Sequence, residues 1–299
     1  MKSVKTTIPS VNFHLWQPCN MRCKFCFAAF MDVKKNVLPK GHLPKEKAKA
    51  VIQQLAEYGF QKITFAGGEP LLCPWLPELI RLAKLEGLTT MIVTNGSKLT
   101  NQWLTNNEPY LDWITISIDS LNELTNLATG RAIIGKRALS QNYYMDLVKR
   151  VKKSGYRLKI NTVISSKNFH EDMSEFILKA MPERWKIFQA LPMKGQNDTC
   201  IDKMKVTKRQ FHQFIERHQV IASKVTLIPE DNKAMTNSYI MIDPAGRFYD
   251  NSKGEHTYSQ PILKVGIHQA LSEVTVSEDR FLERGGLYDW KGEALALAG

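Results

Sequence analysis

The first two thirds of the chain alternate between strand and helix patterns, and this alternation limits the possible folds more than any other feature. Six segments are predicted to be strands, at residues 11–16, 62–65, 89–94, 114–118, 156–164 and 184–189. Helical spacing lies between them, at residues 44–58, 75–86, 141–153 and 171–181. This order implies parallel strands joined by crossover helices. We therefore predict an α/β fold, a partial (β/α)6 barrel of the TIM type.

From about residue 190 the alternation is lost. Residues 190–206 are irregular and polar, residues 207–218 have helical spacing, and residues 238–249 are predicted to form a hairpin. This part of the chain has no clear periodic core of its own. We therefore predict a barrel domain at residues 1–189 and a C-terminal extension at residues 190–299 that covers the open side of the barrel and closes the active site.

Three of the five cysteines fall within eight residues, as Cys19, Cys23 and Cys26. Three thiolates on one short loop can hold a soft metal or an iron–sulfur cluster, and a three-ligand site leaves one coordination position free for chemistry. This spacing predicts a metal or cluster site directly after the first strand.

The alternative for these cysteines is a structural zinc knuckle, whose fourth ligand would be His14, His42 or Cys73. Zinc sites of this kind usually pair their ligands in two C-x2-C-like units, and the sequence has no second unit. The spacing therefore favours a cluster over zinc, and a disulfide is favoured less than either.

The formal net charge of +12 indicates an anionic partner. Long runs of Lys and Arg are absent from the sequence, and so is the aromatic–basic interleaving of RNA-binding motifs, so we do not expect nucleic acid. The low cysteine count, the lack of an apolar segment after Met1 and the lack of a long uncharged apolar run predict a cytoplasmic protein that does not cross a membrane.

Several predicted strands carry charged or polar residues on the face opposite their Ile and Leu residues. The cations on these faces are Lys62, Lys159, Arg184 and Lys186. A barrel interior is ordinarily filled with Val, Ile and Leu, and unpaired lysines there would be costly. The pattern predicts a cavity that binds a polyanion, and a triphosphate suits this number of cations.

The segment Gly67-Gly68-Glu69-Pro70 follows the second predicted strand. Together with the cysteine loop, it resembles the signature of the radical S-adenosylmethionine (SAM) superfamily. The resemblance implies a [4Fe–4S] cluster on Cys19, Cys23 and Cys26, with SAM bound to the fourth iron. It also implies contacts to SAM from Phe25, Gly67, Gly68, Glu69, Asn95, Ser117 and Arg131.

Longer segments resemble one family of this superfamily, the viperin family, over residues 10–290. The segments that carry the resemblance are 12–14, 62–70, 159–164, 184–189, 237–239 and 281–286. The N-terminal amphipathic membrane helix of the vertebrate members has no counterpart in the sequence, which is similar to the prokaryotic viperins in this respect.

The resemblance implies that a ribonucleoside triphosphate is converted to its 3′-deoxy-3′,4′-didehydro form, a chain terminator used in antiviral defence. The 5′-deoxyadenosyl radical would take the C4′ hydrogen, the 3′-hydroxyl would leave as water, and one electron and one proton would complete the alkene. CTP is the favoured substrate, with UTP and GTP as alternatives, and a flavodoxin or ferredoxin would donate the electrons.

The resemblance also implies a set of residues that bind the substrate: Asn12, Lys62, Lys159, Asn161, Arg184, Lys186, Arg284, Gly285 and Gly286. Tyr239 is the candidate for the final hydrogen donor, and core packing is the alternative role for this side chain. Two rival functions stay open. One is a GTP cyclase or a peptide maturase, which would need further grouped cysteines for auxiliary clusters, and the other is a nucleic-acid-binding protein with a zinc knuckle.

Overall fold

The structure is a computed structural model and describes residues 8–291. Its strands are β1 (Ser10–Trp16), β2 (Lys62–Gly67), β3 (Thr89–Thr94), β4 (Trp113–Ser117), β5 (Ala132–Ile133), β6 (Arg137–Ala138), β7 (Arg157–Ile164), β8 (Arg184–Gln189), β9 (Thr226–Glu230), β10 (Ile240–Ile242), β11 (Arg247–Asp250) and β12 (Thr257–Pro261). Its helices are α1 (Met31–Asn36), α2 (Lys45–Tyr58), α3 (Leu76–Leu85), α4 (Asn101–Asn107), α5 (Glu123–Thr129), α6 (Gln141–Lys153), α7 (Ser174–Ala180), α8 (Lys208–His218), α9 (Asn232–Met235), α10 (Ile262–Val265), α11 (Ile267–Ser272) and α12 (Glu278–Glu283).

The main sheet has ten strands in the order β12-β11-β10-β1-β2-β3-β4-β7-β8-β9. The strands from β10 to β9 are mutually parallel, and β11 and β12 continue the sheet in antiparallel fashion beyond β10. The six predicted strands are β1, β2, β3, β4, β7 and β8, which lie side by side in chain order. The prediction of an α/β fold with a barrel-type parallel sheet is confirmed.

The predicted extension adds strands to the same sheet. Strand β9 pairs with β8 at one edge, and β10 pairs with β1 near the other. The hairpin predicted at residues 238–249 is present as β10 and β11, whereas β9 and β12 were not predicted. Strand β9 lacks clear alternation and contains Pro229, which is tolerated because it lies in an edge strand of the described sheet. The boundary at residue 190 stays a prediction.

The two faces of the parallel strands have different chemistry. In β4, Ile114 and Ile116 are fully buried in the main hydrophobic core with the apolar faces of α2, α3 and α6. Thr115 points to the opposite face and pairs in register with Lys159 of β7. The polar face therefore lies on the side of the sheet opposite this hydrophobic core, as the alternation predicts. Between residues 8 and 291 the structure contains no helix that is long and apolar enough to cross a membrane.

Candidate functional site

The three cysteines of the motif lie on the loop between β1 and α1, at the carboxyl end of the first parallel strand. Cys19, Cys23 and Cys26 are partly buried, and none of them forms a disulfide. Burial raises the pKa of each thiol to about 11. A coordinated cation would reverse this shift, because metal binding deprotonates a thiol. The loop therefore offers three free thiols whose ionisation depends on a bound metal or cluster.

The three thiols match the ligand number of a cluster with one open iron, whereas a structural zinc site needs a fourth ligand. A zinc ion holds each sulfur at about 2.3 Å, yet no three His, Cys, Asp or Glu side chains in residues 8–291 are placed to share one metal ion. Cluster cysteines bind different irons and need not converge on one point. Two predicted zinc ligands are also engaged elsewhere, since His42 stacks on Trp16 at 4.1 Å and His14 packs on Phe30 at 5.4 Å.

Two glycines allow other segments to approach the cysteine loop closely. A Cβ atom on Gly68 would lie 2.2 Å from the carbonyl oxygen of Gln17, just before the loop. A Cβ atom on Gly130 would lie 2.0 Å from the carbonyl oxygen of Arg22, inside the loop. The backbone of Arg22 also donates to the Gly130 carbonyl at 3.1 Å. Both positions therefore require glycine, and they fix the course of the loop between β2 and α5.

Glu69 is buried and connects the Gly-Gly segment to the end of β3. Its Oε1 accepts hydrogen bonds from the Thr94 hydroxyl at 2.6 Å and the Leu71 amide at 3.1 Å, and its Oε2 accepts from the Asn95 amide at 2.8 Å. The Asn95 side chain donates to Asn20 of the cysteine loop at 2.9 Å. These contacts bring two predicted SAM ligands, Glu69 and Asn95, next to the loop that carries the cysteines.

The remaining predicted SAM contacts lie on neighbouring elements. Arg131 forms a 2.6 Å ion pair with the buried Asp119, and its guanidinium lies 5.6 Å from the Phe25 ring. Ser117 ends β4 and pairs in register with Asn161 of β7. Arg131 therefore already has a carboxylate partner within the protein, which the sequence did not predict. The roles of these residues towards SAM stay predictions.

Five cationic side chains come together, four on β2, β7 and β8 and one directly after α12, and all of them are between 3% and 9% exposed. They are Lys62, Lys159, Arg184, Lys186 and Arg284. Lys159 pairs in register with Arg184, which lies two residues before Lys186 on the same face of β8. The cations implied by alternation and by the family resemblance are therefore brought together in one place. We call them the cation cluster.

Burial and mutual repulsion act on the lysines of the cation cluster. The pKa of Lys62 is lowered to about 7 by burial and by the charges of Arg284 and Arg184. The pKa of Lys186 is also lowered to about 7, chiefly by burial, although Glu230 acts in the opposite direction. Burial, Lys186 and Lys62 lower the pKa of Lys159 well below its usual value. An anion bound among these groups would restore their protonation.

The end of the described chain covers one side of the cation cluster. The Tyr288 hydroxyl accepts a hydrogen bond from Lys62 at 3.0 Å, and the Tyr288 ring lies 4.0 Å from the guanidinium carbon of Arg184. Arg184 donates to the Gly285 carbonyl at 2.9 Å. Gly286 follows, where a Cβ atom would lie 2.4 Å from the Phe281 ring. The Gly-Gly turn therefore directs Tyr288 onto the cations.

A buried carboxylate, Glu230, faces the other side of the cation cluster. It accepts hydrogen bonds from Lys186 and from the Tyr239 hydroxyl, and it lies 3.7 Å from Arg284. Tyr239 also accepts a 2.9 Å hydrogen bond from Lys186. Tyr239, the predicted hydrogen donor, is therefore in direct contact with the predicted substrate-binding cations.

Two asparagines complete the predicted substrate set. Asn12 lies on β1 and pairs in register with Thr64 of β2. The side-chain oxygen of Asn161 is buried and has no hydrogen-bond partner among the described residues. A buried polar atom without a partner is costly, so this oxygen is free to accept a hydrogen bond from a ligand. The substrate-binding roles of both residues stay predictions.

Sequence reasoning missed Glu230, Tyr288 and Trp290 as residues of the site. Glu230 lies on β9, which has no clear strand pattern, so its direction could not be inferred. Trp290 accepts a hydrogen bond from the Trp113 indole through its carbonyl at 2.9 Å, and its ring lies 5.1 Å from the Lys62 nitrogen. The sequence signal for Tyr288 and Trp290 was their position shortly after Gly285-Gly286, where two aromatic residues could turn back over the site.

Comparison with known proteins gives the family. Residues 16–180 match the model of the Radical SAM superfamily. A protein of Flammeovirga pacifica named S-adenosylmethionine-dependent nucleotide dehydratase is 54% identical over 95% of this chain and 97% of its own length. The chain belongs to this family of nucleotide dehydratases. The resemblance to the viperin family is confirmed, and so are the cofactors of the superfamily, a [4Fe–4S] cluster and SAM.

Other dehydratases of the family extend the comparison. The protein of the same name from Lacinutrix mariniflava is 56% identical over 95% of this chain, which spans 59% of that relative's length. The Danio rerio protein named S-adenosylmethionine-dependent nucleotide dehydratase RSAD2 is 38% identical over 98% of this chain. Among solved structures, native anSMEcpe with bound AdoMet and Kp18Cys peptide has a TM-score of 0.69 at 12% identity, covering 92% of this chain and 82% of that one. At this identity the structural likeness supports the fold alone.

Proposed function

We propose that this dehydratase removes water from a ribonucleoside triphosphate to give the 3′-deoxy-3′,4′-didehydro analogue, which acts as a chain terminator in antiviral defence. CTP is the proposed substrate, and UTP and GTP are the alternatives. The relatives named nucleotide dehydratases support a nucleotide substrate. The cation cluster supports a triphosphate in particular.

The observation that carries this proposal is the burial of five cations against one carboxylate. A buried charge is stable only when it is paired, and among residues 8–291 Glu230 is the carboxylate that pairs with this group of five cationic side chains, whose three lysines all have a lowered pKa. Arginine and lysine are the side chains that proteins use for phosphates, with arginine binding two oxygens at once. A polyphosphate would supply the missing negative charge and restore the protonation of Lys62 and Lys186.

The residues of the cysteine loop and of the segments next to it fit the two cofactors. Cys19, Cys23 and Cys26 would hold the cluster, and Phe25, Gly67, Gly68, Glu69, Asn95, Ser117 and Arg131 would contact SAM. When bound, the cluster and SAM supply the 5′-deoxyadenosyl radical that removes a hydrogen atom. The chain itself orients the nucleotide, because the cation cluster fixes the triphosphate below the cysteine loop.

The proposed reaction balances as the loss of one water. A hydrogen atom leaves C4′, the C3′–O bond breaks, and the hydroxyl takes a proton from solvent and departs as water. The substrate is then a radical cation, which needs one electron to become the closed-shell alkene. We propose a flavodoxin or ferredoxin as the source of electrons. The sequence prediction made Tyr239 the final hydrogen donor; because the radical cation needs an electron and no hydrogen atom, we propose that Tyr239 delivers that electron.

The rival radical SAM enzymes with auxiliary clusters are disfavoured by the remaining cysteines. Of the five cysteines, only Cys73 and Cys200 lie outside the motif. Cys73 is buried in the hydrophobic core, where burial raises its thiol pKa to about 12. A buried apolar thiol of this kind is structural. The chain therefore offers no second group of cysteines for another cluster.

An anaerobic turnover assay tests the proposal. The reconstituted protein is mixed with SAM and dithionite, and 5′-deoxyadenosine is measured without nucleotide and with CTP, UTP, GTP or ATP. We expect one nucleotide to raise 5′-deoxyadenosine formation strongly and to yield a product lighter by one water. Equal, slow formation in every reaction would contradict a nucleotide substrate. Zinc in place of iron in the purified protein would instead favour the zinc-knuckle alternative.

A further inference from the structure

The side chain of Glu230 belongs to a closed ring of hydrogen bonds inside the site. Glu230 has no exposed surface, and its Oε1 accepts from the Lys186 ammonium while its Oε2 accepts from the Tyr239 hydroxyl. The Lys186 ammonium also donates to the Tyr239 oxygen at 2.9 Å. The phenolic proton of Tyr239 therefore points at a carboxylate oxygen, and the phenolic oxygen faces a cation.

Arg284 holds Tyr239 from a second direction. Its guanidinium carbon lies 3.5 Å from the centre of the Tyr239 ring, which is a close cation–π contact. The guanidinium is itself fixed by two hydrogen bonds to the Ser238 carbonyl, at 2.9 Å and 2.7 Å. The ring and the hydroxyl of Tyr239 are therefore both immobilised.

This arrangement suits a tyrosine that gives up an electron. Burial raises the pKa of Tyr239 well above its usual value, and Glu230 adds to this effect, so the phenol keeps its proton. Burial alone would raise the pKa of Glu230, but Lys186 and Arg284 lower it, so the group is a carboxylate. A phenol that loses an electron becomes a strong acid. It needs a base within hydrogen-bonding distance, and Glu230 is in that position.

We propose that Glu230 is the positioning residue of Tyr239, which it holds in place and whose phenolic proton it accepts when Tyr239 passes an electron to the substrate. This inference rests on the proposed function. The electron goes to the substrate radical cation left by the departure of water, and the proton moves from the Tyr239 oxygen to Oε2 of Glu230. A one-electron donor of the flavodoxin or ferredoxin class, or dithionite in the assay, then reduces the tyrosyl radical, and Glu230 returns the proton.

A simpler role for Glu230 is that of a counter-ion for the cation cluster. The two roles predict different effects of Glu230→Gln. As a counter-ion alone, the carboxylate would only offset the charge of the cation cluster, and its loss would leave the ratio of dehydrated nucleotide to 5′-deoxyadenosine unchanged. As the partner of Tyr239, it competes with phosphate for Lys186, so its loss would leave phosphate binding intact and impair the step after hydrogen abstraction.

The test compares Glu230→Gln and Tyr239→Phe with the wild-type holoenzyme. Binding of inorganic tripolyphosphate reports on the cation cluster, and the ratio of dehydrated nucleotide to 5′-deoxyadenosine reports on the later step. Asp243→Asn is the matched control, since Asp243 is an equally buried carboxylate paired with Arg247 in the β10–β11 turn. Glu230→Asp, which keeps the charge but shortens the side chain, serves if the Gln variant does not fold.

We expect the Glu230→Gln variant to bind tripolyphosphate at least as tightly as the wild type. The ratio of dehydrated nucleotide to 5′-deoxyadenosine should fall about tenfold, which is the loss expected for one hydrogen bond to a charged group. Tyr239→Phe should lower the ratio similarly, and Asp243→Asn should leave it unchanged. A wild-type ratio in a folded Glu230 variant would overturn the inference, and so would weaker tripolyphosphate binding. If the wild type itself makes no product with any nucleotide, the proposed function has failed instead.

Discussion

Nucleotide binding should take up protons, because the cation cluster is partly deprotonated when it is empty. The pKa values of Lys62 and Lys186 are both lowered to about 7 in the free protein, chiefly by burial. A bound triphosphate stabilises the charged form of each lysine and returns its pKa towards the usual value of about 10.4. Affinity should therefore fall as the pH rises through 7, since the free protein must first be protonated.

The magnitude follows from the two pKa values. At pH 7 a group with a pKa of about 7 is half protonated, so Lys62 and Lys186 together take up about one proton on binding, and Lys159, whose pKa is also lowered, adds to this uptake. At pH 8 each group is about nine-tenths deprotonated, and the uptake approaches two protons. Integrated between these pH values, these two groups alone should raise the dissociation constant about thirtyfold, and Lys159 adds to the rise. From pH 6 to pH 7 the contribution of the same two groups should be only about threefold.

Isothermal titration calorimetry of CTP binding measures this effect when it is repeated in buffers with different ionisation enthalpies. The dependence of the apparent enthalpy on the buffer gives the number of protons taken up. The variant Lys62→Gln removes one of these groups, so its uptake at pH 7 should be smaller than that of the wild type by about half a proton. No proton uptake at pH 7, together with equal affinity at pH 7 and pH 8, would refute this account of the cation cluster.

Three further predictions concern stability and assembly. Lys62→Met should raise the melting temperature of the substrate-free protein at pH 7, because the pKa of Lys62 is lowered in the folded state and its burial therefore costs stability. Between pH 7 and pH 10 the wild type takes up a proton at Lys62 on unfolding, so its stability rises with pH. The difference in melting temperature between the variant and the wild type should therefore shrink towards pH 10. A melting temperature below the wild type at pH 7 would contradict this. Cys23→Ser should lose most of the iron per chain by metal analysis, whereas Cys200→Ser, outside the motif, should keep it. Gly68→Ala should impair cluster loading, because its Cβ would lie 2.2 Å from a backbone oxygen. Gly87→Ala meets no atom within 4 Å and should load normally while losing about 1 kcal/mol of stability through its positive φ.

The sequence predicted the fold well where strands alternate and helices have apolar stripes. The strands β1, β2, β3, β4, β7 and β8 were all predicted, because each is flanked by turn residues and by a helix of the right spacing. Strands β9 and β12 were missed because both lie at the edges of the described sheet, β9 beside β8 and β12 beside β11. Edge strands carry less apolar alternation than central ones, since only part of each face is covered.

The sequence predicted the site residues that lie on regular strands, because side chains two residues apart point to the same face. Lys159, Arg184 and Lys186 were assigned to the interior by alternation alone, and all three are buried there. Alternation could not predict the partner of Lys186, because Glu230 reaches it from a strand that was not recognised. The ion pair of Arg131 with Asp119 was missed for a related reason, as it joins the end of β4 to the loop after α5.

The central claim is that the nucleotide held by the cation cluster gives up its C4′ hydrogen. The most direct measurement uses the nucleotide that stimulates turnover, labelled with deuterium at C4′, in a single-turnover anaerobic reaction with SAM and dithionite. Mass spectrometry of the 5′-deoxyadenosine should show one deuterium, transferred from the nucleotide. Unlabelled 5′-deoxyadenosine alongside a dehydrated nucleotide would contradict hydrogen abstraction at C4′ and with it the proposed orientation of the substrate.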